Sequence, residues 1–269
     1  MSAAAAAEWL APDTLDAALA LRAEREDATV LAGGTFVGIL VNQGFIEPPA
    51  LLSLAKVGEL RGLEVAGGEL RIGAMVTHRT LERDPRVRRD WPALARAFAL
   101  VASPRVRNQA TAGGVLADAD YASDPPAMLS ALEARVVLRS ARREREVAVA
   151  DLILGHYETC IEPDELLVEV RVPAPPDAAV YRKFRSRSSE DRPCVAVAAA
   201  RRDGRLRVVV GAVADSPRHF ADACELGDPA AVGRAYAERI DPIDDARGSA
   251  AYRRRVTAVE VRRAIEALG

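Results

Sequence analysis

The chain has 269 residues, 49% hydrophobic and 28% charged, and with aromatics at only 4% its core must be filled mainly by Ala, Val and Leu. A net charge of −2 gives no support to nucleic-acid binding, which normally demands a strongly basic surface, and no apolar stretch approaches the roughly 20 residues of a membrane span. Residues 1–7 are small and apolar but lack the basic start of a secretion signal, so the expected location is the cytoplasm.

In chain order, residues 15–25 read as a helix capped by Thr14 or Asp13, because Leu15, Ala18, Leu19 and Arg22 recur at helical spacing. Residues 29–32 are a short β-prone run that stops at Gly33-Gly34, and a helix is expected from Thr35 to Asn42. Residues 50–54 read as a strand, and 60–64 with 69–73 as a hairpin through Gly67-Gly68. Helices follow at 77–83, with Thr77 as cap and Pro85 as stop, and at 92–100, before Ser103-Pro104 breaks the chain. A helix at 124–132, a hairpin of 135–138 with 144–149 and an alternating strand at 166–172 come next.

Pro173, Pro175 and Pro176 mark the best domain boundary. Beyond it lie strands near 180–184, 195–200 and 206–213, the last two joined by Asp203-Gly204, a strong hairpin signal. The tail is helical at 229–239 and 249–268, with Val256, Val259, Ala264, Ile265 and Leu268 expected near one face. Cys160, Cys194 and Cys224 are far apart and form no CxxC pair, so they read as buried free thiols rather than ligands of zinc or an iron–sulfur cluster. His78, His156 and His219 show no metal-ligand spacing and read as packing or surface residues.

Two glycine pairs carry the chemistry. A pyrophosphate needs several converging backbone N–H donors, side chains would obstruct the approach, and a helix starting just beyond adds free amides and a positive dipole end. Ala32-Gly33-Gly34-Thr35 fits that design, with the Thr35 hydroxyl as a further donor. The segment from Asn108 through Thr111-Ala112-Gly113-Gly114 is the second candidate, with Asn108 and Thr111 side chains available. Asp124, ten residues on, reads equally as acceptor for a ribose hydroxyl or as helix N-cap. Neither GxGxxG nor GxxxxGK[ST] is present, and Gly67-Gly68 reads as a plain turn.

The same residues carry a resemblance. Val30-Leu-Ala-Gly-Gly-Thr35 resembles the first flavin segment of the FAD-binding medium subunits of molybdenum hydroxylases, the family of carbon monoxide and xanthine dehydrogenases. The run from Ala102 to Gly114, continued by residues 117–124, resembles the second. Residues 70–77, Glu165-Leu-Leu, Tyr181-Arg-Lys-Phe with Arg187, 213–218 and 245–254 are similar to further family landmarks in the same order.

The resemblance implies an α+β protein: a two-subdomain, PCMH-like FAD-binding fold (1–54 and 55–172), then a C-terminal α+β domain (173–269) with a three-stranded antiparallel sheet and helices. It implies FAD contacts at Val30, Leu31, Ala32, Gly33, Gly34, Thr35, Phe36 and Val37, at Val101, and at Asn108, Thr111, Ala112, Gly113, Gly114 and Val115, with the pyrophosphate at 32–37 and 111–114. Asp124 is implied on the ribose or adenosine side, and Leu167 and Lys183 near the isoalloxazine; His156 and Tyr157 fall near a segment the family places by the flavin. Four positions depart from the family: Val115 for Asn or Ser, Asp118 for His, Tyr121 for Pro, and Phe36 for a polar residue.

The implied activity is electron transfer with no general base or nucleophile. Electrons would enter FAD from two [2Fe–2S] clusters on a small subunit, fed by a molybdopterin-containing large subunit, and leave to NAD, quinone, oxygen or a carrier protein. A heterotrimer or its dimer is the expected assembly. The alternatives are a stand-alone FAD-dependent oxidoreductase of related fold and a cofactor-poor assembly or interaction homologue.

Overall fold

A computed structural model of the chain describes residues 7–188 and 191–269, so nearly all of the N-terminal run read for a signal lies outside the described residues. The N-terminal part is β1 (Glu8–Leu10), α1 (Leu15–Glu24), β2 (Thr29–Leu31), α2 (Val37–Asn42) and β3 (Ala50–Ser53), with the strands parallel in the order β1-β3-β2. Thr14 caps α1 by accepting from the Ala17 amide. The helix after the first glycine pair starts two residues later than its composition suggests. Gly34 sits at φ +69°, and Thr35 and Phe36 form a turn ahead of α2.

The middle part contains β4 (Leu63–Ala66), β5 (Glu69–Gly73), α3 (His78–Arg83), α4 (Pro85–Asp90), α5 (Pro92–Ala99), α6 (Pro104–Arg107), α7 (Ala112–Ala117), α8 (Asp124–Ala131), β6 (Arg135–Arg139), β7 (Glu144–Ala148), α9 (Val149–Leu152), β8 (Ile153–Gly155), β9 (Glu158–Thr159) and β10 (Leu166–Val172). Five of these strands form an antiparallel sheet, β4-β5-β10-β6-β7. Leu60, expected in the first strand of its hairpin, lies instead in a 3₁₀ turn, Gly58–Arg61. Gly67 and Gly68, at φ +60° and +83°, make the tight turn between β4 and β5.

Prolines expected to stop or break the chain start helices. Pro85 opens α4, where Asp84 accepts from the amides of Arg86 and Val87, and Pro104 opens α6 behind the Ser103 cap. Proline is tolerated at the first helical position because that N–H has no intrahelical acceptor. The second glycine pair is likewise not a loop: Gly113 and Gly114 lie in the first turn of α7, behind the Thr111 cap.

The C-terminal part is β11 (Ala178–Phe184), β12 (Val195–Arg202), β13 (Arg205–Gly211), α10 (Ala221–Cys224), α11 (Pro229–Arg239) and α12 (Ala250–Glu266), with an antiparallel sheet in the order β11-β12-β13. Both faces of this sheet are covered. Val195, Val197 and Ala199 join the core formed with α11 and α12. Ala196, Ala198 and Ala200 join the larger core with α5 and α8 of the middle part. That is why β12 reads as an unbroken apolar run rather than an alternation. On α12 the buried face runs through Arg253, Thr257, Glu260, Val261, Ala264 and Ile265, while Val259, expected inside, is 38% exposed. Arg253 and Glu260 come inside because Asp245 and Arg182 pair with them.

Candidate functional site

A cleft of about 690 Å3 opens between the N-terminal sheet, α7, β10 and the start of the C-terminal sheet. Its volume lies within the roughly 300–1,000 Å3 usual for cofactor pockets. The two glycine pairs meet there. A Cβ on Gly33 would lie 1.9 Å from the Gln109 carbonyl oxygen, so the first loop seats directly on the backbone ahead of α7. A Cβ on Gly114 would reach the Ala32 methyl at 3.6 Å from the other side.

The first pair leaves its donors open. Among the described residues, the amides of Gly33, Gly34, Thr35, Phe36 and Val37 donate to no acceptor in the chain. Intramolecular bonding resumes at Gly38, whose amide reaches the Gly34 carbonyl at 3.0 Å. Five consecutive unpaired N–H groups on the wall of a cleft make a concave anion cradle, and the positive φ at Gly34 shapes it.

The second pair has spent its donors. The Ala112 amide donates to Val76 O (2.9 Å), Gly113 to Ala74 O (2.9 Å), Gly114 to Thr111 Oγ1 (3.0 Å) and Val115 to Thr111 O (3.1 Å). Gly113 is required for packing, since its Cβ would stand 2.6 Å from the Ala74 methyl. The expectation that both pairs expose free backbone donors is therefore corrected for the second.

Of the residues expected to hold the cofactor, Val30, Ala32 to Val37, Val101, Thr111, Gly113, Gly114, Val115, Asp124, Leu167 and Lys183 all line the cleft. Three do not. Leu31 ends β2 with its carbonyl taken by the Leu54 amide, Asn108 is exposed at the end of α6, and Ala112 is fully buried in the first turn of α7. Leu167 reaches the cleft through a register shift between Leu167 and Glu169 in β10, where the Val168 carbonyl accepts from Ala74.

Asp124 lines the cleft but does not take the capping role read for it. Ser123, not Asp124, occupies the N-cap position of α8. The Asp124 carboxylate is buried, with Tyr181 Oη donating to one oxygen at 2.7 Å and Lys183 Nζ to the other at 2.8 Å. Lys183 Nζ also donates to Leu100 O at 2.9 Å. Burial pushes the Asp124 carboxyl up and the Lys183 ammonium down, and each opposes the other's shift. Their proximity joins α8 to β11, a contact across 59 residues of sequence that no local pattern announces.

Ion pairs neutralise two further acids of the cleft. Glu165, with a fully buried side chain, accepts from Arg145 at 2.8 and 2.7 Å and pairs with Arg143 at 3.2 Å, which holds it below the usual carboxylate range. Asp120 pairs with Arg192 at 2.8 Å. Asp118, at the C-cap of α7, has no such partner among the described residues. Burial, and next the Asp120 charge, push its carboxyl up to about 7.

Phe36 stacks on Tyr157 (centroids 5.4 Å apart, 14° between planes), tying the first loop to the turn between β8 and β9. Tyr157 lines the cleft, whereas His156 is exposed and packs edge-on against Tyr121. His78, read from sequence as packing or surface, also lines the cleft, as do Asp118, Asp120 and Arg192. Of these, only Asp118 stands out in the sequence, as a departure from the family pattern.

The open amides, the glycine that permits close approach and the cleft volume fit an elongated cofactor carrying a diphosphate, which defines the class: a dinucleotide-binding α+β protein. Residues 4–175 match the family model described as the FAD binding domain in molybdopterin dehydrogenase. The chain is 31% identical to the nicotine 6-hydroxylase medium subunit of Paenarthrobacter nicotinovorans, covering 98% of each. It is 30% identical to the carbon monoxide dehydrogenase medium chain of Hydrogenophaga pseudoflava, covering 97% of this chain and 96% of that one. Its fold superposes on quinoline 2-oxidoreductase from Pseudomonas putida 86 with a TM-score of 0.92 at 30% identity, covering 98% of this chain and 96% of the other.

The chain belongs to the family of FAD-binding medium subunits of molybdenum hydroxylases. Its cofactor is FAD, and it serves as the FAD subunit of an oxidoreductase. No helix among the described residues is long and apolar enough to cross a membrane.

Proposed function

We propose that this chain receives electrons from [2Fe–2S] clusters on a small partner subunit and delivers them to an external acceptor, within a cytoplasmic assembly that also contains a molybdopterin-bearing large subunit. The observation that carries the reading is the cradle of five open amides at 33–37 on the wall of the cleft. Bound FAD supplies the redox chemistry, exchanging electrons singly or in pairs. The Gly33 to Val37 amides donate to its diphosphate oxygens. Thr111, Gly113, Gly114 and Val115 supply a closely packed wall rather than backbone donors. Leu167 contributes an apolar surface, and Lys183, held as half of an ion pair, keeps a positive charge where the ring is expected. The Phe36–Tyr157 stack holds the first loop against the middle part of the chain.

Dependence on partners for the clusters is supported by Cys160, Cys194 and Cys224, three free thiols dispersed over the chain. The test is an absorbance spectrum of the purified protein with acid release and identification of the cofactor, followed by affinity capture of the tagged chain from its native host. Flavin bands and co-purification of a molybdenum subunit and an iron–sulfur subunit are expected. Flavin without partners would establish a stand-alone oxidoreductase instead, and a chain that neither carries nor can be reconstituted with flavin would overturn the proposal.

A further inference from the structure

His78 opens α3 with its ring 1% exposed, edge-on to Phe98 at 4.9 Å between centroids. Its backbone amide donates to the Ala110 carbonyl at 2.9 Å, and ring Nε2 lies 3.2 Å from the Thr111 carbonyl oxygen. A carbonyl can only accept, so Nε2 carries the proton. Burial lowers the ring's pKa to about 4, so at neutral pH the imidazole is uncharged and Nδ1 presents a lone pair. That Nδ1 is buried and, among the described residues, has no hydrogen-bond partner. A buried polar atom without a partner costs free energy and calls for an explanation. Here the ring lines the cofactor cleft beside Thr111, Gly113 and Gly114.

We propose that His78 is a cofactor-binding residue whose Nδ1 accepts a hydrogen bond from a hydroxyl of bound FAD. The proposal rests on FAD being the occupant of the cleft. The donor is a secondary alcohol, carried both by the ribityl chain and by the adenosine ribose. Nε2 simultaneously anchors Thr111, so one ring joins the helix cap of α7 to the ligand. Among the residues lining the cleft, His78 is the one histidine, and His156 and His219 lie outside it.

The test uses the apo full-length chain and titrates FAD, FMN and ADP by fluorescence and calorimetry. His78→Leu is expected to weaken FAD binding roughly tenfold, the effect of leaving one hydrogen bond unmade. His78→Gln, which keeps a donor and an acceptor, is expected to recover part of it. Parallel weakening of FMN assigns the ribityl chain, and parallel weakening of ADP assigns the ribose. A second readout needs no variant: in 15N-histidine-labelled wild-type protein at pH 7, the Nδ1 resonance of His78 should move on saturation with FAD while Nε2 stays protonated. Wild-type binding of FAD with an unmoved Nδ1 resonance, or His78→Leu binding FAD as tightly as wild type, would overturn the proposal. Failure of the wild type to bind FAD would instead defeat the reading of the cleft.

Discussion

Gly33-Gly34 and Gly113-Gly114 look alike in sequence and do opposite things in the fold. At the first pair the chain is a turn, and five successive amides from Gly33 to Val37 have no acceptor within the described chain. At the second pair the chain is already helical, and the amides of Ala112, Gly113, Gly114 and Val115 all have acceptors. Gly33 and Gly113 share one constraint, the absence of room for a Cβ, but the neighbour differs: the carbonyl of Gln109 against one, Ala74 against the other. Glycine therefore marks close approach at both, and only hydrogen-bond accounting shows which site keeps donors for a ligand.

Paired alanine substitutions give the largest expected effect. Gly33→Ala places a methyl 1.9 Å from a carbonyl oxygen, so the loop must move and the amide cradle with it. Loss of bound flavin is expected, together with destabilisation of roughly 3 kcal/mol or more, read from the cofactor content and thermal melts. Gly113→Ala should cost roughly 1–3 kcal/mol of apo-protein stability and disturb FAD affinity less. Equal loss of flavin in both variants would erase the distinction.

Next in size is the pH response of Asp118. Its carboxyl is raised from 3.8 to about 7, so the folded chain holds the proton more tightly than the unfolded one. The associated stability is full below about pH 3.8 and is lost as pH rises toward 7, amounting to the order of 2–4 kcal/mol. The ionised carboxylate also repels a diphosphate in the same cleft. FAD affinity should fall between pH 6 and 8, and Asp118→Asn should flatten that profile and tighten binding at the upper end by about 1 kcal/mol. Titrations of wild type and variant across this range decide it, and a flat wild-type profile would remove Asp118 from the site.

Two smaller effects sharpen the contrast. Thr111→Val removes the cap on the Gly114 amide and should cost about 1 kcal/mol in denaturant unfolding, with Thr111→Ser restoring most of it. Gly34→Ala meets only Leu31 Cδ1 at 3.6 Å, so its cost is the positive φ alone, about 1 kcal/mol, and Gly34→Asn should cost less.

Periodicity and turn chemistry made many of the elements legible beforehand. α1 with its Thr14 cap, β10, the Asp203-Gly204 hairpin and α11 lie within a residue or two of their expected places. The misreadings share a cause. In the sequence Pro85 and Pro104 read as interruptions because proline cannot sit inside a helix, yet each opens one behind a capping side chain. Val259 reads as buried because it is apolar, yet Arg253 and Glu260 take the buried face of α12 because Asp245 and Arg182 neutralise them.

By itself, the sequence determined the positions of the two glycine pairs, the hairpins and the family, because glycine pairs, caps and alternation are local consequences of backbone sterics. Tertiary structure alone decided which glycine pair keeps its amides free among the described residues, that Asp124 pairs with Tyr181 and Lys183, and that His78 lines the cleft with Nδ1 unpaired among those residues. Each of those depends on an acceptor or a charge supplied from a remote part of the chain, and hydrogen-bond satisfaction is a property of the packed molecule that no spacing of residues encodes.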